Sequence, residues 1–179
     1  GYPRFLIHPL VQELARRIAG DRLCLPFPSA RCAELCVEFI RQQGGGTTEV
    51  CALGGIFGVV TTDAGQTALR AFWQHTGLIV PTRQAEAALA GRGDTPDAEA
   101  SRRSLRRQLA GFYHCAEDDV FLAPTGMAAQ FAALRAVMTR RPGLPTAQLG
   151  FPYVDTLKLQ EKFGHGGILL HNLATIADD

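Results

Sequence analysis

Val120-Phe121-Leu122-Ala123-Pro124-Thr125-Gly126-Met127-Ala128-Ala129 is the stretch on which the reading of this chain turns. A short apolar run ends at Pro124, and from Thr125 onward Met127, Phe131, Leu134 and Met138 recur at helical spacing. The pattern predicts a strand over 120–122, a tight turn, and a helix over 126–140. Thr125 suits the helix N-cap, because its hydroxyl oxygen can accept from amides two or three residues on. Gly126 carries no Cβ to hold a ligand away from those amides. Free amides at the positive end of a helix dipole make an anion site, best suited to phosphate. The same residues also satisfy a plainer reading, in which Thr125 does no more than cap a helix.

Downstream, Arg141-Pro142-Gly143 closes that helix, residues 146–151 and 167–171 read as strands, and residues 154–163 as a helix between them. Strand, helix, strand, helix, strand with short connections predicts a parallel sheet with right-handed crossovers. Ligands in such sheets bind beyond the carboxyl ends of the strands. Thr125 and Tyr153 both fall at such ends, which makes them candidates to face one ligand. An aromatic at 153 offers a stacking platform for a flat ring; it is equally a tyrosine at a strand end with its hydroxyl in water.

Upstream, Pro9, the recurrence of Leu10, Leu14 and Ile18, and Gly20 predict a helix over 9–19. Leu25-Pro26-Phe27-Pro28 reads as extended linker, after which Ser29 caps a helix with Cys32, Leu35, Cys36, Phe39 and Ile40 on one side. Cys32 and Cys36 stand one turn apart, but no nearby pair completes a metal site, so they read as core thiols. Residues 49–53 and 56–61 are strand-like about Gly54-Gly55. Asp63 caps a helix with Leu69, Phe72 and Trp73, and Pro81 precedes a short helix with Ala85, Ala88 and Leu89. Residues 91–96 form a loop, whose Arg-Gly-Asp tripeptide is too short to carry an adhesion reading. Residues 97–113 form a helix with Leu105, Leu109 and Phe112 facing inward.

Composition narrows the function classes. The chain has 179 residues, 46% hydrophobic and 20% charged, with a formal net charge of +1. No charge excess points to a nucleic-acid or membrane surface, and no apolar run is long enough to span a bilayer. Of the 18 basic residues only Lys158 and Lys162 are lysines. Five scattered cysteines in a chain of this size suggest a reducing, cytoplasmic setting. The five histidines have no second ligand at metal spacing, so no metal is assigned. Neither a Gly-x-Ser-x-Gly elbow nor a Walker loop is present. A first residue other than Met, and an end at Ala177-Asp178-Asp179, suggest a fragment of a longer protein. Its isolated parallel sheet is expected to associate through an unpaired edge.

Thr125-Gly126-Met127-Ala128-Ala129 after an apolar run resembles the phosphate-binding turn of the pyridoxal-phosphate enzymes of cysteine and methionine metabolism. Phe151-Pro152-Tyr153-Val154-Asp155-Thr156 resembles that family's Tyr-Gly-Gly-Thr segment. Arg4-Phe5-Leu6-Ile7-His8-Pro9, Phe72-Trp73-Gln74-His75-Thr76-Gly77 and Gln148-Leu149-Gly150-Phe151-Pro152-Tyr153 are similar to its cystathionine γ-synthase-like fungal branch, which carries an N-terminal extension. The likeness touches most of the chain, with the cofactor motifs confined to the last third.

The resemblance implies an α/β fold of the aspartate-aminotransferase type (fold type I of the pyridoxal-phosphate enzymes), present in part. Residues 1–80 would be a small α/β extension and residues 81–179 the first half of the cofactor-binding domain. It implies pyridoxal 5′-phosphate as cofactor, with Thr125, Gly126 and Met127 at its phosphate. Tyr153 would stack on the ring and assist proton transfer, and Thr156 would stand at the family's threonine. It further implies γ-replacement on an O-acyl-homoserine by cysteine in a homodimer or homotetramer, with γ-lyase, sulfhydrylase and a non-catalytic scaffold as alternatives. Two departures qualify it. The family's Tyr-Ser-Arg run is missing near residues 94–101, where only Arg92, Arg102 or Arg103 offer a substitute. The Schiff-base lysine and pyridinium carboxylate belong beyond Asp179, so the chain by itself is expected to be inactive.

Overall fold

The computed structural model describes residues 6–93, 97–150 and 153–170. The chain is α/β and divides into two compact units, residues 1–74 with 78–124 and residues 75–77 with 125–179.

The first unit is built on a hairpin. β2 (Thr48–Leu53) and β3 (Ile56–Thr61) pair antiparallel, joined by Gly54 and Gly55 at φ 56° and 80°. Two successive left-handed residues give a turn whose twist matches that of the flanking strands, and glycine adopts it without a Cβ clash. β1 (Leu23–Phe27) pairs antiparallel with the other side of β3, from Leu23↔Thr61 to Phe27↔Phe57, so the sheet order is β1-β3-β2. The prolines that suggested a linker over 25–28 are therefore compatible with a strand. On an edge strand a proline's missing N–H need not interrupt the ladder. The Pro26 carbonyl accepts from the Val80 amide at 3.0 Å, which covers that edge.

Helices cover both faces of the sheet. On one, α1 (Pro9–Ala19) and α4 (Thr82–Leu89) supply Val11, Leu14 and Ala85, which pack with Val80 and with Ile56 of β3. Gly58, two residues along β3, lies so close to α1 that a Cβ there would meet Ile18 at 2.7 Å. On the other face the Phe27 ring meets Phe72 of α3 (Asp63–Thr76) edge-on at 5.7 Å, and Phe39 of α2 (Ala30–Gln42) lies 5.9 Å from Phe72. The caps follow the sequence: His8 Nδ1 accepts from the Leu10 amide at 3.2 Å, and Ser29 Oγ from the Cys32 amide at 3.3 Å. Asp63, expected as a cap, is instead the first helical residue of α3. Cys36 is wholly buried in α2. Burial pushes the Cys24 thiol up to about 12, away from reactivity.

α5 (Ala98–Tyr113) forms as expected, but its apolar stripe does not face inward. Phe112 is 79% exposed and Leu105 47% exposed, while Ala110 is the buried residue. The ionic side is the one held: Arg106 and Arg107 approach Glu117 at 3.9 and 3.6 Å, in the 3₁₀ turn Glu117–Asp119 that follows. Residues 120–122 are not a strand. They carry no regular secondary structure, and Phe121 is 89% exposed. A three-residue apolar run without a neighbour has no ladder to join.

The second unit contains α6 (Gly126–Arg140), β4 (Thr146–Leu149), α7 (Val154–Phe163) and β5 (Gly167–Leu170). β4 and β5 are parallel, from Thr146↔Gly167 to Leu149↔Leu170, with α7 as the crossover. The parallel sheet among the described residues thus has two strands rather than the expected three. Leu159 of α7 is buried, and Phe131 of α6 meets Phe163 edge-on at 5.4 Å. The expected strand ends at Phe151 and His171 lie outside the described residues, as do Arg4, Phe5, Pro152 and residues 94–96 of the loop.

Candidate functional site

Thr125 stands immediately before α6 with extended backbone (φ −146°, ψ 159°), and its hydroxyl accepts from the Ala128 amide at 3.1 Å. A helix leaves its first amides without intrahelical acceptors. The cap satisfies Ala128, and the amides of Gly126 and Met127 have no partner among the described residues. A Cβ built on Gly126 would meet nothing within 4 Å, so the approach to these amides is open. Two free donors, an exposed hydroxyl and the dipole of a 15-residue helix fit a phosphate group.

The underside of this turn is closed by a segment that the sequence reading valued only for its family likeness. Gly77, which follows α3 with φ 66°, lies against Thr125. A Cβ there would fall 2.5 Å from Thr125 Oγ1, 3.1 Å from Met127 Cβ and 3.4 Å from the Ala128 nitrogen. Thr76 is fully buried and His75 is 9% exposed. Burial, with Lys162 and then Lys158 adding like charge, pulls the His75 imidazole below its ordinary value. Its Nδ1 is buried without a hydrogen-bond partner among the described residues. Both lysines sit on the exposed side of α7.

Tyr153 heads α7 and is 47% exposed. Its carbonyl accepts from the Thr156 amide at 2.9 Å. The Thr156 hydroxyl donates to Gln130 Oε1 of α6. Gln130 and Phe131 are adjacent, yet they meet residues at the start and the end of α7, so the second turn of α6 packs along most of that helix. Asp155 in the first turn of α7 is 3% exposed, and neither spacing nor composition had marked it.

The structure therefore gathers Thr125, Gly126 and Met127 into one turn and ties Thr156 to the helix which that turn opens. Tyr153 stands at the head of the adjoining helix. Gln130 is an addition that local sequence pattern did not single out, and Gly77, legible only as a helix end, lies against a residue distant in the chain. Of the arginines considered as substitutes for the missing run, Arg102 is engaged with Glu99 at 3.5 Å. Among the described residues there is no group of three metal-ligating side chains, and no helix is long and apolar enough to cross a membrane.

Residues 6–81 match the family described as fungal trans-sulfuration enzyme, N-terminal domain. The chain is 32% identical over 179 aligned residues to the L-2-amino-4-chloropent-4-enoate dechlorinase/desaturase of Streptantibioticus cattleyicolor, covering 90% of this chain and 35% of that one. It is 39% identical over 83 residues to the cystathionine γ-synthase of Neurospora crassa, covering 44% of this chain and 13% of that one. A cystathionine γ-synthase-like enzyme of Amanita muscaria is 26% identical over 259 residues, covering 93% of this chain and 42% of that one. The chain thus spans less than half the length of these relatives. No solved structure matches it. Residues 6–81 thus carry the N-terminal domain of the fungal trans-sulfuration enzymes, and the chain is similar over most of its length to cystathionine γ-synthase-like enzymes.

Proposed function

We propose that the full-length protein is a pyridoxal 5′-phosphate enzyme of fold type I that carries out γ-replacement on an O-acyl-homoserine with cysteine, giving cystathionine. The observation that carries this reading is the open first turn of α6, with free amides at Gly126 and Met127 under the Thr125 cap. When bound, the cofactor supplies an electron sink for carbanion chemistry at an amino acid's carbons. This chain's residues would hold and orient it. The two amides and Thr125 receive the phosphate, Tyr153 offers a face to the ring, and the Thr156–Gln130 hydrogen bond fixes α7 against α6. The Tyr153 hydroxyl would be the group of this chain to carry a proton. Lys158 and Lys162 both lie exposed on α7, and neither is assigned the covalent bond to the cofactor. Assembly as a homodimer or homotetramer belongs to the same proposal.

Titrating the full-length protein with pyridoxal phosphate tests it. The expected result is a new cofactor band near the visible region and, with O-acyl-homoserine and cysteine, formation of cystathionine. Absence of the band removes the cofactor assignment. A band without cystathionine removes the γ-replacement and leaves a second reading, elimination from an amino acid bearing a γ-leaving group. That reading is favoured by the Streptantibioticus cattleyicolor relative, whose match covers 90% of this chain and whose name describes loss of chloride from such a compound.

A further inference from the structure

We propose that Gly77, at the end of α3, is a positioning residue for the phosphate turn. Its missing side chain would set where Thr125 sits, and thereby which way the Gly126 and Met127 amides point. This rests on the cofactor reading above and deepens it.

The argument is steric. Gly77 belongs to the same compact unit as the turn, although it lies 48 residues earlier in the chain than Thr125. The space for a Cβ at 77 is taken by Thr125 Oγ1 at 2.5 Å, Met127 Cβ at 3.1 Å and the Ala128 nitrogen at 3.4 Å. None of these can yield freely. The threonine oxygen is already held by the Ala128 amide at 3.1 Å, and the other two atoms belong to or adjoin the helix backbone. A methyl group at 77 therefore has to displace the cap, and with it the Gly126 and Met127 amides that lie within its span. Gly77 is itself left-handed at φ 66°, which alone would favour glycine. A left-handed C-cap requires only the backbone conformation, however, and would be indifferent to what lies against the Cα. The two residues before Gly77, His75 and Thr76, are buried, so the segment is packed rather than free at the surface. The family match at residues 6–81 ends just past this point, so the matched domain delivers the residues that brace the turn.

The test compares two probes, pyridoxal 5′-phosphate and phosphate-free pyridoxal, titrated into the full-length protein and its variants. The variants are Gly77→Ala and Gly77→Asn, the latter because asparagine tolerates a left-handed backbone while still carrying the Cβ. Wild type should prefer the phosphorylated probe. Both variants should lose about tenfold or more of that preference, the scale of one charge-assisted hydrogen bond to an anion, while pyridoxal affinity stays near wild type. An equal loss for both probes, or a preference left intact, overturns the proposal. If wild type shows no preference at all, the phosphate reading itself fails, which is a different result from an unchanged ratio in the variants. Should the single variants fold poorly, the double variant Gly77→Ala with Thr125→Ala decides the matter. Removing the hydroxyl that the new Cβ meets should make the two substitutions non-additive in melting temperature, with the pair milder than the sum. Strict additivity would show that Gly77 acts only through its own backbone angle.

Discussion

Replacing Thr125 by alanine is the most direct perturbation of the turn, and its cost follows from the coordinates. The residue is exposed at the surface, so little apolar burial is lost; what goes is the hydrogen bond from the Ala128 amide at 3.1 Å. An N-cap threonine exchanged for alanine costs about 1 kcal/mol, within a range of roughly 0.5–2. Thr125→Ser keeps the acceptor and should fall within about 0.5 kcal/mol of wild type. The assay is urea denaturation of the full-length protein, read as a shift in midpoint at constant slope. Phosphate should then sharpen the difference: if the turn is an anion site, phosphate raises the wild-type midpoint, and alanine at 125 weakens that gain. A serine variant as damaged as the alanine one, or an alanine variant that is neutral and equally responsive to phosphate, would refute the reasoning from the cap.

Four further outcomes are expected. Phe72→Ala removes a fully buried ring packed on Phe27 and Phe39 and should cost about 3–5 kcal/mol, measured by denaturant unfolding. His75 gives a pH dependence with a definite sign. Its folded-state value lies below the ordinary 6.5, so below that pH the unfolded chain binds the proton more readily. Its contribution is complete above the ordinary value and declines as pH falls through it. Unfolding midpoints between pH 5 and 8 should show that slope, and His75→Gln should flatten it. Thr156→Val breaks the hydrogen bond to Gln130 and should cost about 1 kcal/mol in unfolding experiments, with Gln130→Leu restoring part of the loss. Tyr153 is half open to solvent, so Tyr153→Ala should change stability by no more than about 0.5 kcal/mol. It should nonetheless weaken cofactor affinity in a titration, whereas Tyr153→Phe keeps the ring and the affinity.

Much of this molecule is written locally. The helices at Pro9–Ala19, Ala30–Gln42, Gly126–Arg140 and Val154–Phe163 follow from apolar spacing and from the caps His8, Ser29 and Thr125, all of which act within a few residues. The Gly54-Gly55 hairpin is local too, since two left-handed residues in succession are a property of the tripeptides around them. The phosphate-turn candidates at 125–127 and the aromatic at 153 were legible for the same reason.

What local pattern did not disclose depends on partners far along the chain. Whether an apolar run becomes a strand is decided by a neighbouring ladder. Leu23–Phe27, with a proline inside it, has β3 beside it and pairs, while residues 120–122 look more strand-like and have none. On α5 the leucines and phenylalanine that spacing turned inward are instead exposed or half-buried, while Arg106 and Arg107 face Glu117. The sequence by itself determined which residues cap and open α6 at 125–127. Only the tertiary structure decided that Gly77 lies against Thr125 and that Gln130 ties α6 to α7, because excluded volume and side-chain hydrogen bonds act between neighbours in space rather than in sequence.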